Sequence, residues 1–213
     1  MIPFPNKKYK IIYADVPWDY LTTGPTKTAG IWGRAHDHYD VMSLEQIKNL
    51  DVKSISDDDA YLFLWATFPQ IRGALEVINS WGFEYKTVGF VWIKKETSGR
   101  DFVGMGWYTR ANAEICLLGR KGTPKIKDHS IRQLIYSIPR EHSRKPDEVR
   151  DKIVKLCGDI PRIELFARIR VHGWTTVGNE IDGQDIRLSL EQIANGTYLH
   201  KSLKDESLER YVS

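Results

Sequence analysis

Cysteine is nearly absent from this chain: two residues, Cys116 and Cys157, stand among 213. They lie far apart in apolar contexts, which argues against a disulfide framework or a Cys-rich metal cluster and for two reduced core thiols. No apolar run reaches the roughly 20 residues that a membrane-crossing helix needs. The start Met1-Ile2-Pro3-Phe4-Pro5 lacks the basic head and apolar centre of a secretory signal, so a cytoplasmic protein is expected. Strong charge is lacking too. The 31 Lys and Arg against 28 Asp and Glu leave +3, which permits a nucleic-acid partner without arguing for one. No Gly-x-Gly-x-x-Gly follows a strand pattern and no Walker A lysine motif occurs, so nicotinamide and nucleoside-triphosphate readings have no support. His36, Asp37 and His38 have no third strong ligand at a diagnostic spacing, and no metal site is expected. Repeats and composition breaks are missing as well. One domain over residues 1–185 is expected, with 186–213 a helix and charged tail of the same domain.

Aromatic surface is abundant, with seven Trp and ten Tyr. One stretch uses it in a telling way. Lys10-Ile11-Ile12-Tyr13 reads as a short buried strand, and Asp15, Pro17 and Trp18 follow at its end. In open α/β sheets ligands bind at the C-terminal ends of strands. Asp15 can accept hydrogen bonds from a primary amine, Pro17 stiffens the turn, and Trp18 offers a ring face. An exocyclic amino group on a flat base suits that pair. An acidic turn residue with a core tryptophan behind it would read the same way.

Residues 19–40, with four Gly or Pro positions at Gly24, Pro25, Gly30 and Gly33, form a loop long enough to be a functional lid. Ser43 and Gln46 make a capping box for a helix whose face is Leu44, Ile47 and Leu50. Asp57, Asp58 and Asp59 read as a solvated turn. Residues 60–66 are almost continuously apolar, as in a strand covered on both faces, and a helix over 70–80 ends at Gly82. A strand over 85–94 opens into a glycine-rich loop, 95–108, that either closes over a base or merely connects. After a strand at 114–119, Arg120, Lys121, Lys125 and Lys127 form the densest mid-chain basic patch, a candidate phosphate contact. Residues 129–139 form a mixed apolar segment of uncertain type. Pro146 suits a first helical position, with Asp147 and Glu148 at the positive end and Val149, Ile153, Val154 and Leu156 on the buried face. Lys145, just ahead of it, could hold an anion or be a surface lysine. The strand at 162–167 carries Glu164 inside an apolar run, where a lone acid needs a partner or a ligand. Asn179 or Glu180 could hold ribose hydroxyls, and Leu188, Leu190 and Ile193 mark a last amphipathic helix.

Taken together, these residues resemble the MT-A70 family of S-adenosylmethionine-dependent adenine-N6 methyltransferases. The resemblance runs from about Tyr9 to Ile181. It rests on Ala14-Asp15-Val16-Pro17-Trp18 in the place of an Asp-Pro-Pro-Trp motif, His38-Tyr39 with Met42-Ser43, and Trp107 with residues 114–119. It continues through Ser143-Arg144-Lys145-Pro146-Asp147-Glu148, Glu164-Leu165-Phe166-Ala167-Arg168, and Gly173-Trp174 with Gly178-Asn179-Glu180. Each piece is weak alone, whereas their order and spacing together are specific. Val16 replaces a proline but keeps its carbonyl, and Pro17 holds it extended. Glu180 replaces the commoner glutamine.

The resemblance implies an α/β, Rossmann-like methyltransferase fold with a mostly parallel sheet and a permuted motif order, the catalytic strand first and the cofactor strand late. It implies S-adenosylmethionine as cofactor and direct methyl transfer. Asp15 and the Val16 carbonyl would hold the adenine amine and Trp18 would stack on the base. By the same resemblance Lys145 would contact the methionine carboxylate of the cofactor, Arg168 and Glu180 its ribose region, with Asn179 by the adenosine and Glu164 on the same wall. His38, Tyr39 and Trp107 would face the substrate, with Arg34 and Lys121 as phosphate contacts. DNA is favoured over RNA as substrate. A catalytically silent nucleic-acid-binding subunit is the reading from another class, and a homodimer or a related partner subunit fits the family. With no separate recognition domain, site preference would come from the loops at 19–40 and 95–110 or from a partner.

Overall fold

The computed structural model describes residues 8–19, 41–104, 106, 108–140 and 144–198. Its frame is a seven-stranded sheet in the order β5-β3-β4-β2-β1-β6-β7. The strands are β1 (Tyr9–Ala14), β2 (Ser56–Ala66), β3 (Glu84–Lys94), β4 (Ala113–Lys121), β5 (Leu134–Ser137), β6 (Arg162–Leu165) and β7 (Thr175–Val177). β1 lies between β2 and β6 and is parallel to both, and β7 extends the parallel half beyond β6. β4 runs against both of its neighbours, β2 and β3, while β5 is parallel to β3.

Alternation along the strands sorts the core into two layers, because successive side chains in a strand point to opposite faces. Ile12 and Ala14 of β1 join Leu62 and Leu64 of β2 on one face. Four helices cover that face: α1 (Leu44–Lys48), α2 (Val52–Ile55), α3 (Ile71–Ser80) and α6 (Ile186–Ala194). Ile11 and Tyr13 point the other way, with Phe63 and Trp65, and pack under α4 (Glu148–Cys157) through Val149, Ile153 and Cys157. Burial on both faces is why residues 60–66 carry no polar alternation.

Local chemistry sets several of these elements. Ser43 caps α1, with its hydroxyl accepting from the Gln46 amide at 3.2 Å and the Gln46 side chain accepting from the Ser43 amide at 2.8 Å. The buried indoles find acceptors, as buried tryptophans usually do. Trp65 Nε1 donates to the Tyr13 hydroxyl at 2.7 Å, Trp81 Nε1 to the Ile47 carbonyl at 2.9 Å and Trp92 Nε1 to the Ser137 carbonyl at 3.2 Å.

Three readings change and one that was open is filled in. Asp57, Asp58 and Asp59 fall within β2, which begins at Ser56, at the register shift between the Tyr9–Ser56 and Ile11–Tyr61 pairs. Asp58 and Asp59 are exposed, and the Asp59 amide donates to Asp57 Oδ1 at 3.1 Å, a local bond of the kind acidic turn residues make. The apolar stretch of open type contains β5, which adds to β3 at the sheet edge. The helix after Pro146 begins at Glu148, with Asp147 as its N-cap. In α6, Leu188 is exposed while Ile186 and Ser189 are buried with Leu190 and Ile193.

Candidate active site

Parallel pairing of β1 with β6, Ala14 beside Leu165, brings together the ends of strands that are about 150 residues apart. The chain leaves β1 through Asp15, Val16, Pro17 and Trp18, and these four residues line a cavity of about 390 Å³. Its far wall holds Phe166 and Arg168 after β6, and Asn179 and Glu180 at the start of α5 (Asn179–Asp182). The volume falls in the range of small-molecule sites.

Two backbone features shape this wall. Phe166 has φ 60, a left-handed conformation that costs a non-glycine residue energy and tends to persist at functional sites. At Gly178 the backbone passes so close to β6 that a Cβ would lie 2.5 Å from the Ala167 carbonyl oxygen. Only glycine fits there, and the contact sets Asn179 and Glu180 at the cavity.

A chain of alternating charges forms the other wall. Lys145 Nζ stands 2.9 Å from Asp15 Oδ1 and 3.0 Å from Oδ2, and 3.2 Å from Glu114 Oε2. Glu114 Oε1 accepts from Lys94 Nζ at 2.5 Å. Burial works against the Lys145 charge, but the carboxylates of Asp15 and Glu114 outweigh it and raise the ammonium pKa. Burial likewise pushes Glu114 up, and Lys145 and Lys94 more than reverse this, so its carboxyl lies below the ordinary range. Two ammonium groups thus balance two carboxylates. Lys145 also stands 5.7 Å from the centre of the Trp65 ring.

The turn after Asp15 is tight. The Trp18 amide donates to the Val16 carbonyl at 2.9 Å, with Pro17 between them, and the Met42 amide donates to the Pro17 carbonyl at 3.0 Å. Proline's fixed φ suits the centre of such a three-residue turn. A carbonyl oxygen has two lone pairs, so Val16 can accept once more. Trp18 is 5% exposed, its Nε1 bonded to the Trp65 carbonyl at 3.1 Å. It is a core tryptophan that also shows a surface to the cavity.

A family model described as MT-A70 matches residues 9–180. The chain belongs to the MT-A70 family. It is an S-adenosylmethionine-dependent adenine-N6 methyltransferase. Among similar proteins, the type II methyltransferase M.MunI of Mycoplasma sp is 38% identical over 199 residues, covering 86% of this chain and 82% of that protein. The human N(6)-adenosine-methyltransferase catalytic subunit METTL3 is 29% identical over 185 residues, 83% of this chain and 29% of that protein. An MT-A70-like N(6)-adenosine-methyltransferase of Arabidopsis thaliana is 28% identical over 183 residues, 82% of this chain and 24% of that protein. The chain therefore spans most of the bacterial relative and about a quarter of the eukaryotic ones.

In this methyltransferase Asp15, Val16, Pro17, Trp18, Lys145, Arg168, Asn179 and Glu180 share one cavity. Arg168 Nε lies 3.8 Å from Glu180 Oε1. Lys145, expected at the cofactor's carboxylate, lines the cavity and pairs there with Asp15. Glu164, expected on the cofactor wall, does not line the cavity. Its carboxylate takes a bidentate pair from Arg150, Oε1 to Nη2 at 2.6 Å and Oε2 to Nε at 2.7 Å. Its register partner in the neighbouring strand is Tyr13, on the α4 side of the sheet. Lys121 is displaced as well. It ends β4, seven residues from Glu114 and about 24 Å along the strand at roughly 3.4 Å per residue, and it faces Asp58 at 3.6 Å. Its neighbour Arg120 pairs with Glu84 at 3.9 Å. Arg120 and Lys121 thus stand at the opposite end of the strands from Asp15, beside Tyr61 and Ala60 of β2. Arg34, His38, Tyr39 and Trp107 lie outside the described residues, as does residue 105 of the second loop.

Sequence reasoning assigned no role to Glu114, Trp65, Thr67 or the segment from Gly183 to Ile186, all of which line the cavity. Glu114 had one usable signal, an acid opening an otherwise apolar strand. The others had none, since they act through their place in the fold.

Proposed function

We propose that this methyltransferase acts on adenine in DNA, with Asp15 and the Val16 carbonyl receiving the two amino hydrogens of the target base. One observation carries the assignment: the Asp15 turn and the Arg168–Asn179–Glu180 wall, distant in sequence, enclose a single cavity. DNA is favoured because similarity extends over 82% of a type II methyltransferase, against 29% and 24% of two N(6)-adenosine-methyltransferases.

The cavity suits S-adenosylmethionine in its chemistry. Glu180 and Asp185 offer acceptors for ribose hydroxyls, Phe166 and Ile186 offer apolar surface for a purine, and Thr67 Oγ1 is buried on the wall without a hydrogen-bond partner among the described residues. An orphaned buried hydroxyl is costly unless a ligand meets it. When bound, the cofactor supplies an electrophilic methyl group on a sulfonium centre. In this reading the catalytic strand precedes the cofactor strands in the chain, which is the permuted order.

The amino nitrogen of adenine is a poor nucleophile because its lone pair is delocalised into the ring. Asp15 need not deprotonate it first. The carboxylate orients the amine, steadies the positive charge that grows on nitrogen, and takes a proton once that nitrogen has become acidic. Lys145 is a positioning residue here: it holds both oxygens of Asp15 edge-on, and Glu114 with Lys94 balances its charge. Preorganisation of this kind avoids reorienting the carboxylate during the reaction. On duplex DNA the base must leave the helix to reach Asp15.

The test is transfer of labelled methyl by the purified protein alone onto matched single-stranded DNA, duplex DNA and RNA, with the product nucleosides identified. N6-methyladenine in a DNA pool is expected, and Asp15→Ala abolishes it while cofactor binding persists. Product in RNA alone overturns the DNA assignment. Absence of product in every pool, with cofactor bound, moves the weight to an obligate partner subunit. Near-normal transfer by Asp15→Ala overturns the role given to Asp15.

A further inference from the structure

Three guanidinium groups converge on one carboxylate beside the cavity. Asp147 Oδ2 accepts from Arg140 Nη1 at 2.6 Å, both its oxygens accept from Arg144 Nη2 at 3.0 Å, and Oδ1 accepts from Arg150 Nη1 at 2.6 Å. Burial would raise the Asp147 carboxyl, but the hydrogen bonds and charges of Arg140 and Arg144 hold it well below the ordinary carboxylate range. Arg150 has its own counter-charge in Glu164. Asp147 is thus left to balance both Arg140 and Arg144, and one positive charge is unmatched within the cluster.

The donors are in excess too. A carboxylate offers about four acceptor positions, and the four contacts on Asp147 use them. Each guanidinium carries five N–H groups. Among the described residues, Arg144 spends only Nη2, and its Nε is buried without a partner. Arg140 spends Nη1 on Asp147 and Nη2 on the Lys145 carbonyl at 2.9 Å. Both side chains remain open to solvent, at 40% and 31% exposure. The cluster is tied through the Lys145 backbone to the ammonium that grips Asp15, so it stands one lysine side chain from the reacting end of the cavity.

We propose that Arg140 and Arg144 are the phosphate-binding residues that seat the nucleic-acid backbone next to the target base. The proposal rests on the substrate reading above. A phosphodiester is a monoanion with acceptor oxygens at the spacing of the guanidinium fork, and arginine is the side chain that best matches it. Asp147 holds both forks in place beforehand, which lowers the ordering cost of binding. Arg120 and Lys121, at the opposite end of β4 from Glu114, are engaged with Glu84 and Asp58.

The experiment measures binding of a labelled adenine-containing single-stranded oligonucleotide across a salt series, for the wild type, R140Q, R144Q, the double variant and K121Q. Removing one phosphate-binding charge flattens the slope of log K against log salt by about 0.7. The double variant binds on the order of tenfold more weakly at low salt, by the same factor on oligonucleotides of different sequence. K121Q matches the wild type. R144K keeps the charge and therefore the slope, which holds the test open should a glutamine variant fold poorly. Cofactor affinity is unchanged throughout. An unaltered slope and affinity in the double variant overturns the proposal, and so does a loss of cofactor affinity, which would make the arginines a site for the cofactor's carboxylate. A wild type that binds no nucleic acid overturns the substrate reading itself.

Discussion

Replacing Glu164 with glutamine separates a buried structural ion pair from a cofactor contact. Glu164 and Arg150 are each 8% exposed, and two hydrogen bonds of 2.6 and 2.7 Å join them. The Gln side chain keeps the shape, removes the charge, and turns one acceptor into an amide that points its hydrogens at the guanidinium. Breaking one side of a buried pair costs about 3–5 kcal/mol. The lower end applies here, because Arg150 retains Asp147 at 2.6 Å and stands 5.9 Å from the centre of the Tyr13 ring. For a chain of this size, about 3 kcal/mol corresponds to a fall of roughly 6–12 °C in Tm. The assay is urea and thermal unfolding of E164Q alongside cofactor affinity at a temperature where the variant is folded. Stability falls and cofactor affinity holds. A companion variant, E164L/R150M, removes both charges together, and a paired apolar replacement is often neutral or stabilising, so it recovers much of the loss. Wild-type stability with a several-fold loss of cofactor affinity would refute the structural reading and return Glu164 to the cofactor wall.

Gly178→Ala forces a methyl against the Ala167 carbonyl, 2.5 Å away, and destabilises the protein by about 1–3 kcal/mol; it also weakens cofactor binding by shifting Asn179 and Glu180, and an unchanged unfolding midpoint would count against the close approach. Burial pushes the Cys157 thiol up to about 12 and the Cys116 thiol well above its ordinary value. Both stay protonated at about pH 8, below even an ordinary thiol's pKa, so the folded protein resists a thiol-specific reagent and the denatured one takes up two equivalents. Rapid labelling of the folded chain would contradict their place in the core.

Local patterns determined a good deal by themselves. The capping box at Ser43 and Gln46 depends on residues three apart, and the covered strand at 60–66 on a run of neighbours, so neither needs the fold to be read. The Asp15 turn follows from proline's own restriction of the backbone. Tertiary structure decided the partners of charges. Glu164 was legible as an acid requiring something, but whether Arg150 or a ligand met it depended on which face of β6 it occupied and on α4 lying across that face. Lys145 and Asp15 are 130 residues apart, and no spacing rule links them; the packing of the segment ahead of α4 against the end of β1 brings them together. Lys121 and Glu114 share a strand, yet that strand's length sets them at its opposite ends. Composition and periodicity report what each residue prefers over a few neighbours. Which charge meets which is set by strand order and direction, and these arise only when the whole sheet has formed.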